Sequence, residues 1–140
     1  RSLLSRADDV TLRDVLNRRI KGREPFRPFA PVVRDAHASA LFEGAPSDMT
    51  PTMTTVCRVK GDSLPGCTHV DGTARVQTVA EGGALDGLLQ AMERQGQRAL
   101  LNTSLNAAGE PLVAHVTDAL DFFVRRKPDV LYVDDVRITR

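Results

Sequence analysis

The sequence has few aromatic residues, little cysteine and no long apolar run. It has no tryptophan, one tyrosine and five phenylalanines, and its two cysteines are too few for a disulfide scaffold. We therefore expect Cys57 and Cys67 to be reduced thiols of a cytoplasmic protein, although the turn KGDSLPG between them leaves a hairpin contact open. No stretch approaches the roughly 18 apolar residues of a membrane span, and no secretory hydrophobic segment follows the first residues. We expect no membrane partner.

The charge is nearly balanced overall but uneven along the chain. Nineteen Lys/Arg and 18 Asp/Glu give a formal net charge of +1, which argues against a general nucleic-acid or membrane surface. Residues 1–27, however, have eight Lys/Arg against four Asp/Glu. The length of 140 residues, with 41% hydrophobic and 26% charged, is that of one globular domain. The pattern therefore favours a local cationic site over a basic surface.

Apolar periodicity predicts both helices and strands. Helices are predicted over residues 8–21, 35–43, 84–95 and 118–126. Strands are predicted over residues 53–59, 68–79, 98–101, 112–113, 129–133 and 136–139, the second of them interrupted at Asp71-Gly72. Because these elements alternate without a strict βαβ repeat, the predicted fold class is α/β, a mixed twisted sheet flanked by helices in a single domain.

Capping residues mark the ends of two of these helices. Asp8 or Asp9 is expected to cap the first helix, and Gly22 suits the position just past its end. Thr117 is expected to cap the last helix. These signals fix the first helix just before an unusual cationic stretch.

That stretch, residues 21–31, reads KGREPFRPFAP. Its three prolines exclude helix and force extended backbone. Phe26 and Phe29 are expected to bury from it as aromatic anchors. The segment should therefore present its charges on stiff backbone, which lowers the entropy lost on binding an anion.

Three cations lie on this segment: Lys21, Arg23 and Arg27. Arginine grips a phosphate with two parallel hydrogen bonds, whereas lysine acts as a mobile point charge. The alternative is surface pairing with Glu24 and Asp35, worth about 0–1 kcal/mol per pair. The segment alone does not decide between an anion site and solvated charges.

A row of small polar residues ends a buried strand in LLNTSLNAAGEP, residues 100–111. If the backbone stays extended, Asn102, Ser104 and Asn106 point to one side. Their donors and acceptors suit phosphate oxygens or a planar amide-like group. The alternative is a turn in which these side chains satisfy their own backbone.

Polar residues also alternate along residues 69–77, at His69, Asp71, Thr73, Arg75 and Gln77. They form either a solvated strand edge or the lining of a pocket. Arg75 is the side chain whose charge would cost most to bury without an anion. The three histidines are isolated in the sequence, so no metal site is predicted. There is no Walker loop and no GxGxxG, so any nucleotide site is of another type.

Three long motifs carry a family resemblance. The stretches RSLLSRADD…LNRRIKGREPFRPFAPVV, THVDGTARVQTV and ALLNTSLNAAGEPLV resemble, in this order, the C-terminal domain of the O-carbamoyltransferases of antibiotic and nodulation-factor biosynthesis. The resemblance implies a YrdC-like fold over residues 1–140. It also implies an upstream actin/sugar-kinase-like domain with its own metal ion, which would be this domain's partner within one enzyme.

The resemblance further implies a reaction and a set of site residues. The domain would form carbamoyladenylate from carbamoyl phosphate and ATP, with Mg²⁺ on the nucleotide, and the upstream domain would pass the carbamoyl group to an acceptor hydroxyl. Lys21 and Arg27 match the cations that hold carbamoyl and phosphate groups, and Arg75 matches a further anion-binding arginine. The family's NTSxN element matches Asn102, Ser104 and Asn106.

The sequence departs from the family in three places. Leu105 stands where phenylalanine is usual, and residues 45–66 are less similar. A Gly-Pro-Arg-Ala-Leu-Gly block expected before Arg1 is absent, so the site is expected to be incomplete in this chain.

Two other functions stay open on the sequence. One is a non-catalytic nucleotide-binding or interaction module. The other is a threonylcarbamoyladenylate-type synthase, although the small net charge counts against an RNA-binding surface. No nucleic-acid partner is expected.

Overall fold

The computed structural model describes residues 1–140 and contains four α-helices and eight β-strands. The helices are α1 (Val10–Val15), α2 (Asp35–Leu41), α3 (Ala84–Glu93) and α4 (Val116–Arg126). The strands are β1 (Ser2–Arg6), β2 (Ala30–Arg34), β3 (Val56–Arg58), β4 (Thr73–Arg75), β5 (Gln77–Val79), β6 (Ala99–Ser104), β7 (Val130–Val133) and β8 (Val136–Thr139). A π-helical turn, Leu16–Lys21, continues α1, and a 3₁₀ turn covers Thr50–Thr52.

The main sheet has four strands in the order β1-β6-β2-β5. Strand β2 runs antiparallel to β6, with Ala30 opposite Asn102, and parallel to β5, with Val32 opposite Gln77. Two antiparallel pairs, β3–β4 and β7–β8, form separate two-stranded sheets. The predicted α/β fold with a mixed sheet and flanking helices is therefore confirmed.

The chain divides into two compact units. Unit 1 comprises residues Arg1–Ser2, Asp14–Arg27 and Ser104–Arg140, and unit 2 comprises residues Leu3–Arg13 and Pro28–Thr103. Unit 1 therefore contains the π-helical turn, α4 and the β7–β8 pair. Unit 2 contains the strands β2 to β5 with α2 and α3, and most of β1 and β6.

Each unit has buried apolar side chains. In unit 2, Val32, Leu89 and Leu100 form a fully buried cluster that joins the sheet to α3. In unit 1, α4 packs against the π-helical turn, and Ile20 and Phe122 are among the side chains buried there. Burial of such a side chain contributes about 1.5–3 kcal/mol, which holds these short elements in place.

Several local predictions are confirmed at the ends of the first helix. Asp9 Oδ1 accepts a hydrogen bond from the Leu12 N–H at 3.0 Å, and Gly22 ends the π-helical turn with a φ of +61°.

Cys57 and Cys67 are both free thiols and both buried, and burial raises the pKa of Cys67 to about 12. None of the helices combines the length and apolar character of a membrane-spanning segment.

Four local predictions are wrong. Phe29 is buried as expected, but Phe26 is 83% exposed, because the chain turns there and Arg27 N–H bonds back to the Glu24 carbonyl. Residues 112–113 form no strand. The last helix begins at Val116 instead of residue 118. Its N-cap residue is His115, not Thr117, and the His115 N–H donates to Asp118 Oδ2 at 2.9 Å.

The predicted strand over residues 68–79 is shorter and divided. Residues 69–72 form a turn, in which Val70 is fully exposed and Gly72 has a φ of +79°. The strands β4 and β5 follow, on either side of the buried Val76. The alternating polar row therefore holds only from Thr73 onward.

Candidate anion site around Lys21

The three cations lie in residues 21–27, which are called the cationic segment below. Hydrogen bonds to Asn17, a fully buried residue of the π-helical turn, fix the path of this segment. Its side-chain Nδ2 donates to the carbonyls of Pro25 and Arg27, both at 3.3 Å, and its Oδ1 accepts from Arg23 Nε at 2.7 Å. Its backbone carbonyl accepts the N–H groups of Gly22 and Arg23. The segment is therefore folded around one carboxamide.

Lys21 is buried at the start of this segment, with 4% of its surface exposed. Its Nζ donates to the Ser104 carbonyl at 2.7 Å, to Ser104 Oγ at 3.2 Å and to Asn106 Oδ1 at 2.8 Å. Burial, and then the charges of Arg23 and Arg27, lower the pKa of Lys21 to about 8, while Glu110 acts in the opposite direction. Lys21 is thus a cation with three acceptors in an environment that disfavours its charge.

Ser104 and Asn106 meet through a turn rather than along an extended strand. Strand β6 ends at Ser104, whose Oγ donates to Asn106 Oδ1 at 2.5 Å. Asn106 Nδ2 donates to the Glu110 carbonyl at 2.8 Å. The extended row predicted from the sequence is therefore wrong at Asn106, and the alternative of a self-satisfied turn is realised there, but the two side chains still converge on Lys21.

Glu110 connects this turn to the end of α4. Its carboxylate accepts from Arg125 Nη1 at 2.8 Å and from the Ala107 N–H at 3.3 Å, and Arg126 Nη2 lies 3.7 Å away. The hydrogen bond from Arg125 holds the pKa of Glu110 below its usual range. The guanidinium of Arg126 also lies against Gly22, with Nη1 3.5 Å from where a Cβ would stand.

Sequence reasoning missed Asn17, Glu110 and the two arginines that end α4. Asn17 had a usable signal, since in the predicted helix over residues 8–21 it stands three residues before Ile20 and therefore on the same face as that apolar side chain. Glu110 and the arginines had none, because charged residues at a helix end and in a polar loop are common.

The two arginines of the segment differ in their surroundings. Arg27 has a side chain 55% exposed and a loose ion pair with Glu24 at 3.9 Å, so it is accessible to a ligand. That pair is one of the two surface contacts foreseen for these cations, and at such exposure it contributes little. Arg23 is anchored on Asn17, which is neither the ligand contact nor the salt bridge considered from the sequence.

Asn102 and Arg75 belong to unit 2. Asn102 is buried on β6, where its Nδ2 donates to Gln77 Oε1 at 2.6 Å. Arg75 is exposed on β4, opposite Val56, and no salt bridge involves it. The structure thus brings Lys21, Ser104 and Asn106 together in unit 1, with Arg27 on the same segment. No group of three or more His, Cys, Asp or Glu side chains is arranged to hold a metal ion.

Comparison with known proteins places these features in a family context. The family model described as carbamoyltransferase C-terminus matches residues 1–140. The chain is 39% identical over 140 residues to nodulation protein NolO of Bradyrhizobium diazoefficiens, covering 95% of this chain and 26% of NolO. It is 40% identical over 139 residues to the 3'-hydroxymethylcephem-O-carbamoyltransferase of Amycolatopsis lactamdurans, covering 96% of this chain and 26% of that protein. The chain therefore spans about a quarter of the length of these relatives.

A solved structure has the same fold. Full-length HypF in its phosphate- and nucleotide-bound form superposes with a TM-score of 0.63 at 21% identity, over 89% of this chain and 17% of HypF. This likeness concerns the fold alone, and the expected YrdC-like α/β fold is confirmed.

Proposed function

The chain belongs to the carbamoyltransferase C-terminus family, and on this premise we propose that it is the carbamoyl-adenylating domain of an O-carbamoyltransferase. The substrates would be carbamoyl phosphate and ATP. The observation that carries the proposal is the contact of Lys21 with Ser104 and Asn106, beside the cationic segment that contains Arg23 and Arg27. Two anionic substrates must meet in one site, and cations offset their repulsion.

The proposed reaction forms a bond between a carbamate oxygen and the α-phosphorus of ATP. Pyrophosphate leaves from ATP, and inorganic phosphate leaves from carbamoyl phosphate, so carbamoyl phosphate, ATP and water give carbamoyladenylate, pyrophosphate and inorganic phosphate, which take up the two protons of the water. Both leaving groups are stable anions, so the site needs positioned charge more than an acid or a base.

The residues divide into two roles in this proposal. Arg27, which is accessible, grips phosphate oxygens, and Arg75 is a second anion contact. Asn102, Ser104 and Asn106 hold the nucleotide. Lys21 has all three of its donors on the Ser104–Asn106 turn, so it fixes that turn and adds a positive charge to the site.

Magnesium would enter with the nucleotide. The chain has no cluster of carboxylate or imidazole ligands that fits a resident divalent ion. Oxygen ligands from the phosphates of ATP would then make up most of the coordination sphere, as is usual for Mg²⁺. When bound, the ion would neutralise charge on those phosphates.

The proposal extends to the longer protein that the relatives represent. Residues 1–140 would be its YrdC-like domain, and an actin/sugar-kinase-like domain with its own metal ion would pass the carbamoyl group to an acceptor hydroxyl. The relatives are about four times as long as this chain, which leaves room for such a domain. The two free thiols support a cytoplasmic location.

Carbamoyl-phosphate-dependent exchange of labelled pyrophosphate into ATP, measured on the full-length protein, tests the proposal. We expect Lys21→Ala and Arg27→Ala to abolish exchange. Lys60→Ala and Arg19→Ala are matched controls, because both side chains are exposed and neither lies in the proposed site. Exchange at the wild-type rate in both site variants would contradict the assignment of Lys21 and Arg27 to the site. Absence of exchange in the wild-type protein would contradict the proposed function.

A further inference from the structure

Asn17 directs every hydrogen-bonding group of its side chain, and its backbone carbonyl, at the cationic segment. The carboxamide has two N–H donors, and these meet the carbonyls of Pro25 and Arg27. Its oxygen meets Arg23 Nε, and its main-chain oxygen meets the N–H groups of Gly22 and Arg23. One fully buried residue thus contacts the backbone or side chain of four residues between positions 22 and 27.

The π-helical turn is what permits this arrangement. In Leu16–Lys21 the hydrogen bonds reach one residue further than in an α-helix, so the Asn17 carbonyl accepts the Gly22 N–H, five residues on. Gly22 is in the left-handed region and reverses the chain, which brings residues 23–27 back over the Asn17 side chain. The prolines stiffen the segment, but its path is set by the carboxamide it encloses.

We propose that Asn17 is a positioning residue of the anion site: it holds Arg23 and Arg27 in the conformation that binds phosphate, without touching the ligand itself. The inference rests on the proposed function for the identity of the anion. Its physical basis is that a misplacement of about 1 Å in positioning groups costs on the order of 100-fold in rate. Arg23 is fixed through Nε, and Arg27 through its carbonyl.

Asn17→Asp is the most informative variant, because aspartate has the same size as asparagine. It keeps an oxygen for Arg23 Nε but replaces the Nδ2 donor with an oxygen that faces the carbonyls of Pro25 and Arg27. The repulsion should release residues 25–27 while Arg23 stays bound. Asn17→Ala should remove the contacts of this side chain to both.

A matched control separates positioning from general loss of stability. Thr50 is also fully buried, and its Oγ1 makes hydrogen bonds to Thr78 Oγ1 at 2.8 Å and to the Ser47 carbonyl at 2.8 Å. Thr50→Val removes these bonds with little change of volume. Thr50 belongs to unit 2, whereas Asn17 and residues 22–27 belong to unit 1.

The first measurement is calorimetric titration of the full-length protein with inorganic pyrophosphate and with ATP. We expect Asn17→Asp and Asn17→Ala to raise both dissociation constants by roughly tenfold or more, since positioning is lost, and Thr50→Val to leave them unchanged. In exchange assays the two Asn17 variants should raise KM for ATP more than they lower kcat. Unchanged dissociation constants in folded Asn17 variants, or equal effects in Thr50→Val, would overturn the proposal.

The second measurement does not depend on the reaction. Trypsin cleaves after lysine and arginine but not before proline. Within residues 21–27 it can therefore cleave the Lys21–Gly22 and Arg23–Glu24 bonds, but not the bond between Arg27 and Pro28. We expect mass spectrometry to show faster cleavage at these bonds in both Asn17 variants, and the fastest in Asn17→Ala, because only that variant also loses the oxygen that binds Arg23. Cleavage at Arg58 and Arg94 should be unchanged. If exchange and pyrophosphate binding are absent from the wild-type protein, the proposed function fails and the role of Asn17 in anion binding fails with it. If the wild-type protein is active but the segment is cut no faster in the variants, the inference about Asn17 alone is wrong.

Discussion

Two opposing effects act on the protonation of Lys21, which is a buried lysine with three hydrogen-bond acceptors and two arginine neighbours. The ammonium needs its protons to donate to Ser104 and Asn106, and burial beside Arg23 and Arg27 favours their loss. The second effect lowers the pKa to about 8 from the ordinary lysine value of 10.5. Lys21 is therefore the residue of the site most sensitive to alkaline pH.

We expect stability and ligand binding to respond to this titration in opposite directions. Between about pH 8 and 10.5 the unfolded chain keeps a proton on Lys21 that the folded chain has lost, so the free energy of unfolding gains a positive slope with pH. Over the same range the site loses a cation, and the dissociation constant for ATP should rise. Urea unfolding and calorimetry at a series of pH values measure the two effects.

Two variants isolate the contribution of Lys21 from other groups that titrate at alkaline pH. Lys21→Met removes the titrating group, so the difference in unfolding free energy between wild type and variant should depend on pH only above about 8. Lys21→Arg keeps its charge and should bind ATP without the alkaline loss. Identical pH profiles for wild type and Lys21→Met would show that Lys21 does not titrate in this range.

At the scale of elements, the sequence predicts what depends on local periodicity and misses what depends on distant partners. Helix α3 follows from its apolar spacing, which places Leu85, Leu89 and Met92 against the core of unit 2. The strands β7 and β8 follow from their β-branched composition, although Leu131 is the only buried residue of the pair. Spacing does not predict the π-helical turn, because that turn depends on the contacts of Asn17 with the cationic segment that follows it. The residue type alone makes Lys21 a candidate for an anion site. Its partner Ser104 lies 83 residues away in the sequence, so the spacing of residues within one element cannot predict their contact.

Two glycines of unit 2 should respond in opposite ways to substitution by alanine. A Cβ on Gly66 would lie 2.7 Å from the Ala7 carbonyl oxygen, which cannot withdraw without losing its hydrogen bond from the Gly66 N–H. We expect Gly66→Ala to destabilise by roughly 2–3 kcal/mol, as overpacking does. Gly87 lies within α3 with nothing within 4 Å of its Cβ position, so Gly87→Ala should stabilise by about 0.5–1 kcal/mol. Denaturant unfolding measures both, and equal signs would contradict the backbone geometry around Ala7.

An ion pair joins β2 to α3. Arg34 Nε lies 2.7 Å from Asp86 Oδ1, and the Asp86 side chain is only 3% exposed. The carboxylate also accepts from the Gly82 N–H and from Gln90 Nε2, and these bonds, with Arg34, hold the pKa of Asp86 below its usual range. We expect Arg34→Ala to cost about 3 kcal/mol at neutral pH, because it leaves a buried charge without its cation.

The pH dependence of that cost has a defined sign. A lowered carboxyl pKa contributes stability above the ordinary Asp range, and the contribution disappears as the pH falls through the lowered pKa. The difference between wild type and Arg34→Ala in guanidinium unfolding should therefore shrink at acid pH. Arg94→Ala, an exposed arginine at the end of α3, is the control. A cost that stays constant down to the acid transition would rule out an electrostatic origin.

At the scale of the whole molecule, the choice of co-substrate separates the proposed function from its nearest alternative. The chain matches the carbamoyltransferase C-terminus family throughout, and the enzymatic alternative that the sequence leaves open is a threonylcarbamoyladenylate-type synthase. The formal net charge of +1 gives no general attraction for RNA. The cationic segment that contains Lys21 instead suits two small anionic substrates, such as the carbamoyl phosphate and ATP of the proposed function.

We therefore expect the full-length protein to release pyrophosphate from ATP when carbamoyl phosphate is present, and not when threonine and bicarbonate replace it. Carbamoyl phosphate brings a phosphate with about two negative charges to the cations of the segment, whereas bicarbonate has one negative charge and the threonine zwitterion has no net charge. Lys21→Ala and Arg27→Ala should lose the carbamoyl-phosphate-dependent release, while Lys60→Ala retains it. Pyrophosphate release that requires threonine and bicarbonate would support the synthase. Nucleotide binding by calorimetry without release under either condition would make the domain a binding module, since in that case the cations would hold ATP but drive no chemistry.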